Sequence, residues 1–231
     1  MKSKHFLFIF LALSFAACSS FERAEKPIEI NLRGLKIPAG TADAEFYNLI
    51  AKGNLKKQDI TFTYYPEDDA LCLEYRHNLT ISYYQFWNRS SRIAFINSLE
   101  KYKYDYLQRD LTAKKKKQTK RQYATEPSFL AWETSRYSMF GYGWSNYEIG
   151  YQFMNNAPYF TITQREAQNE EPVTKSDNYQ SETVVLYFTR AQAEDVAAIF
   201  NQSYLASLQP PARPVRTPEE TASDPYEEGN F

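Results

Sequence analysis

Residues 60–76 read ITFTYYPEDDALCLEYR, and this stretch contains two alternating runs of apolar and polar residues on either side of a turn. Alternation with a period of two is typical of a β-strand that buries one face. Pro66 and the acidic residues 67–69 are typical of a tight turn. The stretch therefore predicts an antiparallel β-hairpin, and a third strand is expected over residues 79–87.

Similar patterns elsewhere in the chain predict further strands. Five more segments alternate or are rich in β-branched and aromatic residues: 28–38, 128–137, 148–154, 159–164 and 183–188. After the first of these, Thr41 is expected to cap a short helix that runs to residue 50. The motif Gly141-Tyr142-Gly143-Trp144 is interpreted as a turn between strands, because glycine pairs are common in turns.

Two segments show helical spacing instead of alternation. The apolar side chains of residues 90–109 form one stripe, whereas Arg92 and Asp105 are expected to face water. The second segment, residues 190–208, is preceded by Thr189, which begins a capping box. Both segments are therefore predicted to be amphipathic helices.

These elements together predict a single α+β domain over residues 28–208. Its expected architecture is an antiparallel β-sheet of six to eight strands, packed on one side by the two main helices. Residues 209–231 are rich in proline and acidic side chains, so a disordered tail is expected there. An outer-membrane β-barrel is disfavoured, because two amphipathic helices and an acidic tail do not belong to that architecture.

The composition narrows the classes of function. The chain has 27 basic and 28 acidic residues, so its overall charge does not favour a nucleic-acid partner. It also has only 2 His, 2 Cys and 7 Gly. These numbers leave few ways to build a zinc site, an imidazole-based catalytic site or a phosphate-binding loop. No metal and no diffusible cofactor are therefore expected.

The N-terminus has the pattern of an export signal. Lys2 and Lys4 precede an apolar run over residues 6–17 that is too short for a spanning helix, which needs about 20 apolar residues. The motif Phe15-Ala16-Ala17-Cys18 resembles the lipobox of bacterial lipoproteins. Phe15 replaces the usual Leu, and this looser pattern is similar to that of spirochaete lipoproteins.

The resemblance implies a lipid anchor. The thiol of Cys18 would accept a diacylglyceryl group, the signal peptide 1–17 would be removed, and the new N-terminal amine would be acylated. Several acyl chains hold a protein at a membrane permanently, and residues 18–27 would form the tether. Ser19 is not the Asp that resembles an inner-membrane retention signal, so the resemblance implies a cell-envelope location at the outer membrane.

The aromatic density between residues 137 and 151 is one candidate for a binding site. Trp144, Tyr142 and Tyr147 are predicted to contact a partner protein or a glycan, because exposed Tyr and Trp offer rigid contact area with a polar tip. The alternative interpretation is that these rings simply fill the core and cover the face of a small sheet.

A basic cluster is the second candidate. It consists of Lys114, Lys115, Lys116, Lys117, Lys120 and Arg121. Export would remove nucleic acid as a partner, so anionic lipid headgroups or an acidic protein surface are the expected contacts. The alternative is a solvated loop or helix end, because like charges in sequence resist burial.

These observations predict a lipid-anchored envelope lipoprotein with a non-catalytic role, which binds or supports another envelope component. The alternative is an envelope hydrolase, for example one that acts on glycans with a pair of carboxylates. An inward-facing pair of Asp or Glu side chains in a cleft would favour the hydrolase.

Overall fold

The computed structural model describes residues 34–47, 54–77, 80–111, 120–134, 139–170 and 180–210. The predicted signal peptide, the tether and most of the predicted tail lie outside these residues. Within them the chain forms eight strands and three helices. In chain order these are β1 (Ile37–Tyr47), β2 (Leu55–Tyr65), β3 (Ala70–His77), β4 (Ile81–Trp87), α1 (Arg89–Leu107), β5 (Lys120–Thr134), β6 (Met139–Met154), β7 (Ala157–Gln164), β8 (Val184–Phe188), α2 (Arg190–Phe200) and α3 (Gln202–Ser207).

The eight strands form a closed antiparallel barrel. Each strand pairs with the next along the chain, and β1 pairs with β8 to close the cylinder, with Glu45 opposite Tyr187 and Phe46 opposite Leu186. The prediction of an α+β sheet packed on one side by helices is therefore wrong. Closure satisfies the backbone groups that an open sheet would leave unpaired on its two edge strands.

The prediction of a helix over residues 41–50 is wrong for residues 41–47, whereas residues 48–50 lie outside the described part of the chain. Residues 41–47 belong to β1, and Ala44 and Phe46 point into the barrel. A register shift between Pro38 and Gly40 brings these side chains inward, and Gly40 has a φ of 114° there. Pairing with both β2 and β8 outweighs the local helical spacing.

The barrel interior is apolar and filled with side chains. Side chains along each strand alternate between the interior and the outer face, and the outer face carries polar residues such as Thr61, Glu74 and Arg76. The most buried inward residues, each no more than 1% exposed, include Ile60, Phe62, Leu71, Leu73, Tyr83, Trp87, Leu130, Trp132, Ile149, Phe160, Leu186 and Phe188.

Helices α1 and α2 cover one end of the barrel. This helix-capped end is marked by Ile37, Tyr64, Leu71 and Trp87, which lie opposite one another across β1 to β4. Helix α1 begins directly after Trp87, with the side chain of Asn88 as its N-cap. The ring of Phe200 in α2 lies 5.0 Å from that of Trp87 and 4.8 Å from that of Phe95 in α1. The helices therefore extend the aromatic core beyond the strands.

Several predicted elements are confirmed with changed bounds. The hairpin of residues 60–76 corresponds to β2 and β3, and α1 matches the first predicted helix. The second predicted helix is divided at Asn201, which is extended with φ −65° and ψ 129°. Arg92 and Asp105 were expected to face water, and this is wrong because both are buried.

The motif Gly141-Tyr142-Gly143-Trp144 lies inside β6, so its interpretation as a turn is also wrong. Both glycines are required because a neighbouring group lies too close to the backbone to leave room for a side chain. A Cβ on Gly141 would lie 2.5 Å from the indole of Trp132, and one on Gly143 would collide with the carbonyl oxygen of Gln168. Both positions face inward, where neighbouring groups occupy the space of a side chain.

Candidate functional site

The outer face of β2 to β6 carries a continuous row of aromatic rings, which we call the outer aromatic band. The ring of Phe86 lies 5.9 Å from that of Tyr65 and 5.6 Å from that of Phe129. The ring of Phe129 in turn lies 5.7 Å from that of Tyr142 and 5.5 Å from that of Trp144. Phe140 extends the band, with its ring 6.3 Å from that of Tyr142. Its members are Tyr65, Phe86, Phe129, Phe140, Tyr142 and Trp144.

Strand pairing positions these rings. Phe129 of β5 lies directly opposite Trp144 of β6, and Phe86 of β4 lies opposite Cys72 of β3. All of these residues are out of phase with the inward-facing residues on their strands, so their side chains share the outer face. The barrel therefore brings together aromatic residues from four strands that are far apart in sequence.

Burial falls along the band from β2 to β6. Tyr65 and Phe86 are 6% and 3% exposed, Phe129, Tyr142 and Trp144 are half-buried, and Phe140 is 53% exposed. Burial raises the pKa of Tyr65 to about 12, so its phenol is neutral at physiological pH. The accessible part of the band is therefore the uncharged apolar surface on β5 and β6.

The structure separates the three aromatic residues that the sequence grouped as a contact site. Tyr142 and Trp144 face outward together, whereas Tyr147 points into the barrel. The Tyr147 ring lies 5.0 Å from that of Trp87, and its hydroxyl donates a hydrogen bond of 2.9 Å to the carbonyl oxygen of Phe129. Tyr147 therefore lies beneath the band and supports its backbone.

Sequence analysis missed the other members of the band. A signal for them was present, because Tyr64-Tyr65 and Phe86-Trp87 are adjacent aromatic pairs. Neighbouring residues in a strand point to opposite faces, so such pairs indicate a strand with apolar residues on both faces. Which outward rings meet depends on strand register, which these pairs do not specify.

The basic cluster is only partly described, since Lys114, Lys115, Lys116 and Lys117 lie outside the described residues. Lys120 and Arg121 begin strand β5 and do not form a loop. The Nη1 atom of Arg121 is 3.2 Å from Oδ2 of Asp105, which also accepts a 2.8 Å hydrogen bond from the hydroxyl of Tyr123. The charge of Arg121 is therefore largely compensated within the molecule.

Lys120 also lines a shallow cleft of about 290 Å³ on the outer face of β5 to β8. Thr161 contributes to its lining, and Arg165 and Glu148 face each other across it. Nε of Arg165 donates a 2.8 Å hydrogen bond to Oε1 of Glu148, and Nη2 donates one of 2.8 Å to Oε2. The cleft is thus polar, with one of its cations already bound by a carboxylate.

The carboxylates that the structure brings together do not resemble a hydrolytic pair. Asp43 and Asp59 lie opposite each other on the outer face of β1 and β2. A hydrogen bond from Lys57 lowers the pKa of Asp43, whereas a general acid at neutral pH needs a raised pKa. The described residues also contain no group of three or more His, Cys, Asp or Glu side chains that could hold a metal ion.

Cys72 lies beneath the band and offers no nucleophile. Its side chain is buried between the rings of the outer face, and this burial raises the pKa of the thiol far above its ordinary value. A thiol is nucleophilic only as the thiolate, so Cys72 acts as a small apolar side chain.

Among the described residues, no helix is both long enough and apolar enough to cross a membrane. A family described as "Uncharacterised Treponema protein" has a model that matches residues 35–207. No curated protein matches the chain, and no solved structure matches it.

Proposed function

This chain belongs to the uncharacterised Treponema family, and from this premise we propose that it is a lipid-anchored envelope protein that binds a partner protein through the outer aromatic band. Treponema is a genus of spirochaetes, and the lipobox-like motif ending at Cys18 is similar to the looser spirochaete pattern. That agreement supports a lipid anchor at Cys18, and the residue after it, Ser19, is the basis for proposing the outer membrane.

The observation that carries the binding role is the least buried part of the band, where three half-buried rings adjoin the exposed Phe140. A barrel needs apolar residues only inside, and yet Phe129, Tyr142 and Trp144 form a connected apolar surface outside it. Connected exposed apolar patches are typical of interaction sites. Aromatic residues in such patches contribute a large share of binding energy at protein interfaces.

The geometry favours a protein over a glycan as the partner. A sugar ring stacks on an open aromatic face, whereas the rings of Trp144 and Phe129 are packed against each other at 65° and 5.5 Å. In this T-shaped pair the edge of one ring covers a face of the other, which leaves less open ring face for a sugar and suits apolar side chains from another protein. Asp43 and Asp59 lie on the outer face of the barrel and Asp43 is paired with Lys57, which supports a non-catalytic role.

Site-specific photocrosslinking in intact cells tests this proposal. A benzophenone amino acid would replace Trp144 in one variant and Tyr159 in a matched control, which is a half-buried outward aromatic residue on β7. We expect a light-dependent, protease-sensitive adduct from position 144 and none from position 159. The partner would be identified by mass spectrometry and purified.

Binding to the purified partner would then be measured. We expect W144A to weaken the affinity by at least about thirtyfold, as for a hot-spot aromatic residue, and Y159A to leave it unchanged. Equal adducts from both positions, or an unchanged affinity for W144A, would refute the band as the binding surface.

A further inference from the structure

The exposed apolar side chains of the barrel concentrate at its helix-capped end. Eight large hydrophobic side chains are exposed among the described residues, and six of them lie at this end. The exceptions are Tyr47 and Phe140, which lie at the opposite end. The six are Leu35, Ile93, Tyr104, Tyr106, Leu107 and Tyr204.

Helix α1 carries four of these six residues. Its inner face, with Phe95 and Tyr102, is buried against the barrel and α2. Its outer face presents Ile93, Tyr104 and Leu107, which are 50%, 62% and 70% exposed. These three positions are spaced by eleven and three residues, so they lie along one side of the helix. Exposed polar side chains, including Glu100, share this outer side, so the three residues are separate apolar contacts and not a continuous stripe.

The chain enters the barrel at this same end. Strand β1 begins at Ile37, opposite Tyr64, and the line of paired residues continues to Trp87, after which α1 begins. The hydroxyl of Tyr204 in α3 also donates a 3.0 Å hydrogen bond to the carbonyl oxygen of Ala39. Residues 18–33 separate Cys18 from the described chain and span at most about 60 Å. An anchor on Cys18 would thus be connected to the barrel at the helix-capped end.

We propose that the helix-capped end lies on the membrane that holds the anchor, with Ile93, Tyr104 and Leu107 in the interfacial layer. This inference rests on the proposed lipid anchor. Tyrosine suits the interface because its ring is apolar and its hydroxyl stays hydrated. Lys101 and Arg109 are exposed nearby, and so are the acidic Glu100 and Asp110, so the net charge of this end does not by itself favour an anionic membrane.

This orientation leaves the outer aromatic band accessible. The band lies on the side of the barrel, and its most exposed member, Phe140, begins β6 at the end remote from α1. If the helices lie on the membrane, Trp144 on the side of the barrel and Phe140 at its remote end do not face the lipid. Membrane contact and partner binding would thus use different surfaces.

Spin labelling of the acylated full-length protein tests the orientation. One variant carries L107C and a matched control carries F140C, since both positions are exposed and neither substitution removes a buried contact. The native Cys72 thiol is buried and Cys18 is acylated, so neither competes for the label. The labelled proteins are reconstituted into vesicles of phosphatidylethanolamine and phosphatidylglycerol. Collision of each label with oxygen, which partitions into lipid, is compared with collision with a water-soluble nickel complex.

We expect the oxygen-to-nickel ratio to be several-fold higher at position 107 than at position 140. Equal ratios in protein that floats with the vesicles would overturn the orientation while leaving the anchor intact. Protein that does not float with the vesicles would overturn both the anchor and the orientation. A dipolar signal between position 107 labels on two molecules would assign this face to a second copy of the chain and would also overturn the proposal.

Discussion

Arg92 is a buried cation that joins three parts of the helix-capped end. It is 1% exposed, and its Nη1 donates to the carbonyl oxygens of Asp69 at 2.6 Å and Trp87 at 3.1 Å. Its Nη2 donates to Oδ1 of Asp69 and Oε1 of Gln202, each at 2.7 Å. The side chain thus connects the β2–β3 turn, the end of β4 and α3. Asp69 has a φ of 45°, so the ion pair also holds a left-handed turn residue.

We predict that R92M lowers the free energy of unfolding by about 3 kcal/mol, because it leaves the carboxylate of Asp69 without its buried partner. The loss lies at the lower end of the range for such pairs because the side chain of Asp69 is 32% exposed. Urea unfolding measures it. The control is R89A, since Arg89 is 64% exposed and its Nε is 3.9 Å from Asp69, and a loss below about 1 kcal/mol is expected. Equal losses in the two variants would contradict the role of Arg92.

His77 provides a pH-dependent contribution to stability. Burial lowers its pKa below the ordinary value of 6.5, and the nearby Glu182 opposes this only in part. Its Nε2 lies 3.4 Å from Oε2 of Glu182. Because the folded state disfavours the imidazolium, the unfolded chain binds more protons below pH 6.5. The stability contributed by neutral His77 is therefore present above that pH and is lost as the pH falls below it.

We predict that the wild-type protein loses more stability between pH 7 and about pH 5.5 than H77Q does. Urea unfolding at the two pH values measures the difference, and NMR titration of the imidazole measures the pKa directly. The E182Q variant removes the opposing charge, and in it the pKa of His77 should fall further. A pKa at or above 6.5 in the wild type would contradict the dominance of burial.

Elements with strong local signals were predictable from the sequence. The alternation of residues 60–76 placed β3 and the second half of β2 correctly, and the apolar stripe of α1 placed that helix. Residues 55–59 of β2 do not alternate and were not predicted to be part of the strand. Strand β1 was mistaken for a helix because Phe46 and residues 49–50 have helical spacing. Its true state depends on partners in β2 and β8, and no local pattern contains that information.

The capping box of α2 is a local signal that the structure confirms. The side-chain oxygen of Thr189 accepts a hydrogen bond from the backbone N–H of Gln192, whose side chain accepts one from the backbone N–H of Thr189. We predict that T189A lowers the free energy of unfolding by about 1 kcal/mol. The exposed Thr183, before β8, is the matched control, and T183A should change stability by less than about 0.5 kcal/mol. Equal effects in urea unfolding would show that the box contributes nothing.

Closure of the barrel is the feature of the whole molecule that could not be predicted from the sequence. The expected six to eight strands are present as eight, but their closure depends on the pairing of Phe46 with Leu186 across most of the chain. The candidate site shows the same dependence. Aromatic density identified Trp144 and Tyr142, whereas the neighbouring Phe129 and Phe86 could be found only from the register of the strands.

The proposed function depends on a lipid on Cys18 that holds the barrel at a membrane. Membrane fractionation and intact-mass measurement of the native protein, beside a C18A variant, test it most directly. We expect the native protein to begin at an acylated Cys18 and to fractionate with the membrane, and we expect C18A to leave the membrane fraction. A native protein that is soluble and retains Met1 would contradict this expectation.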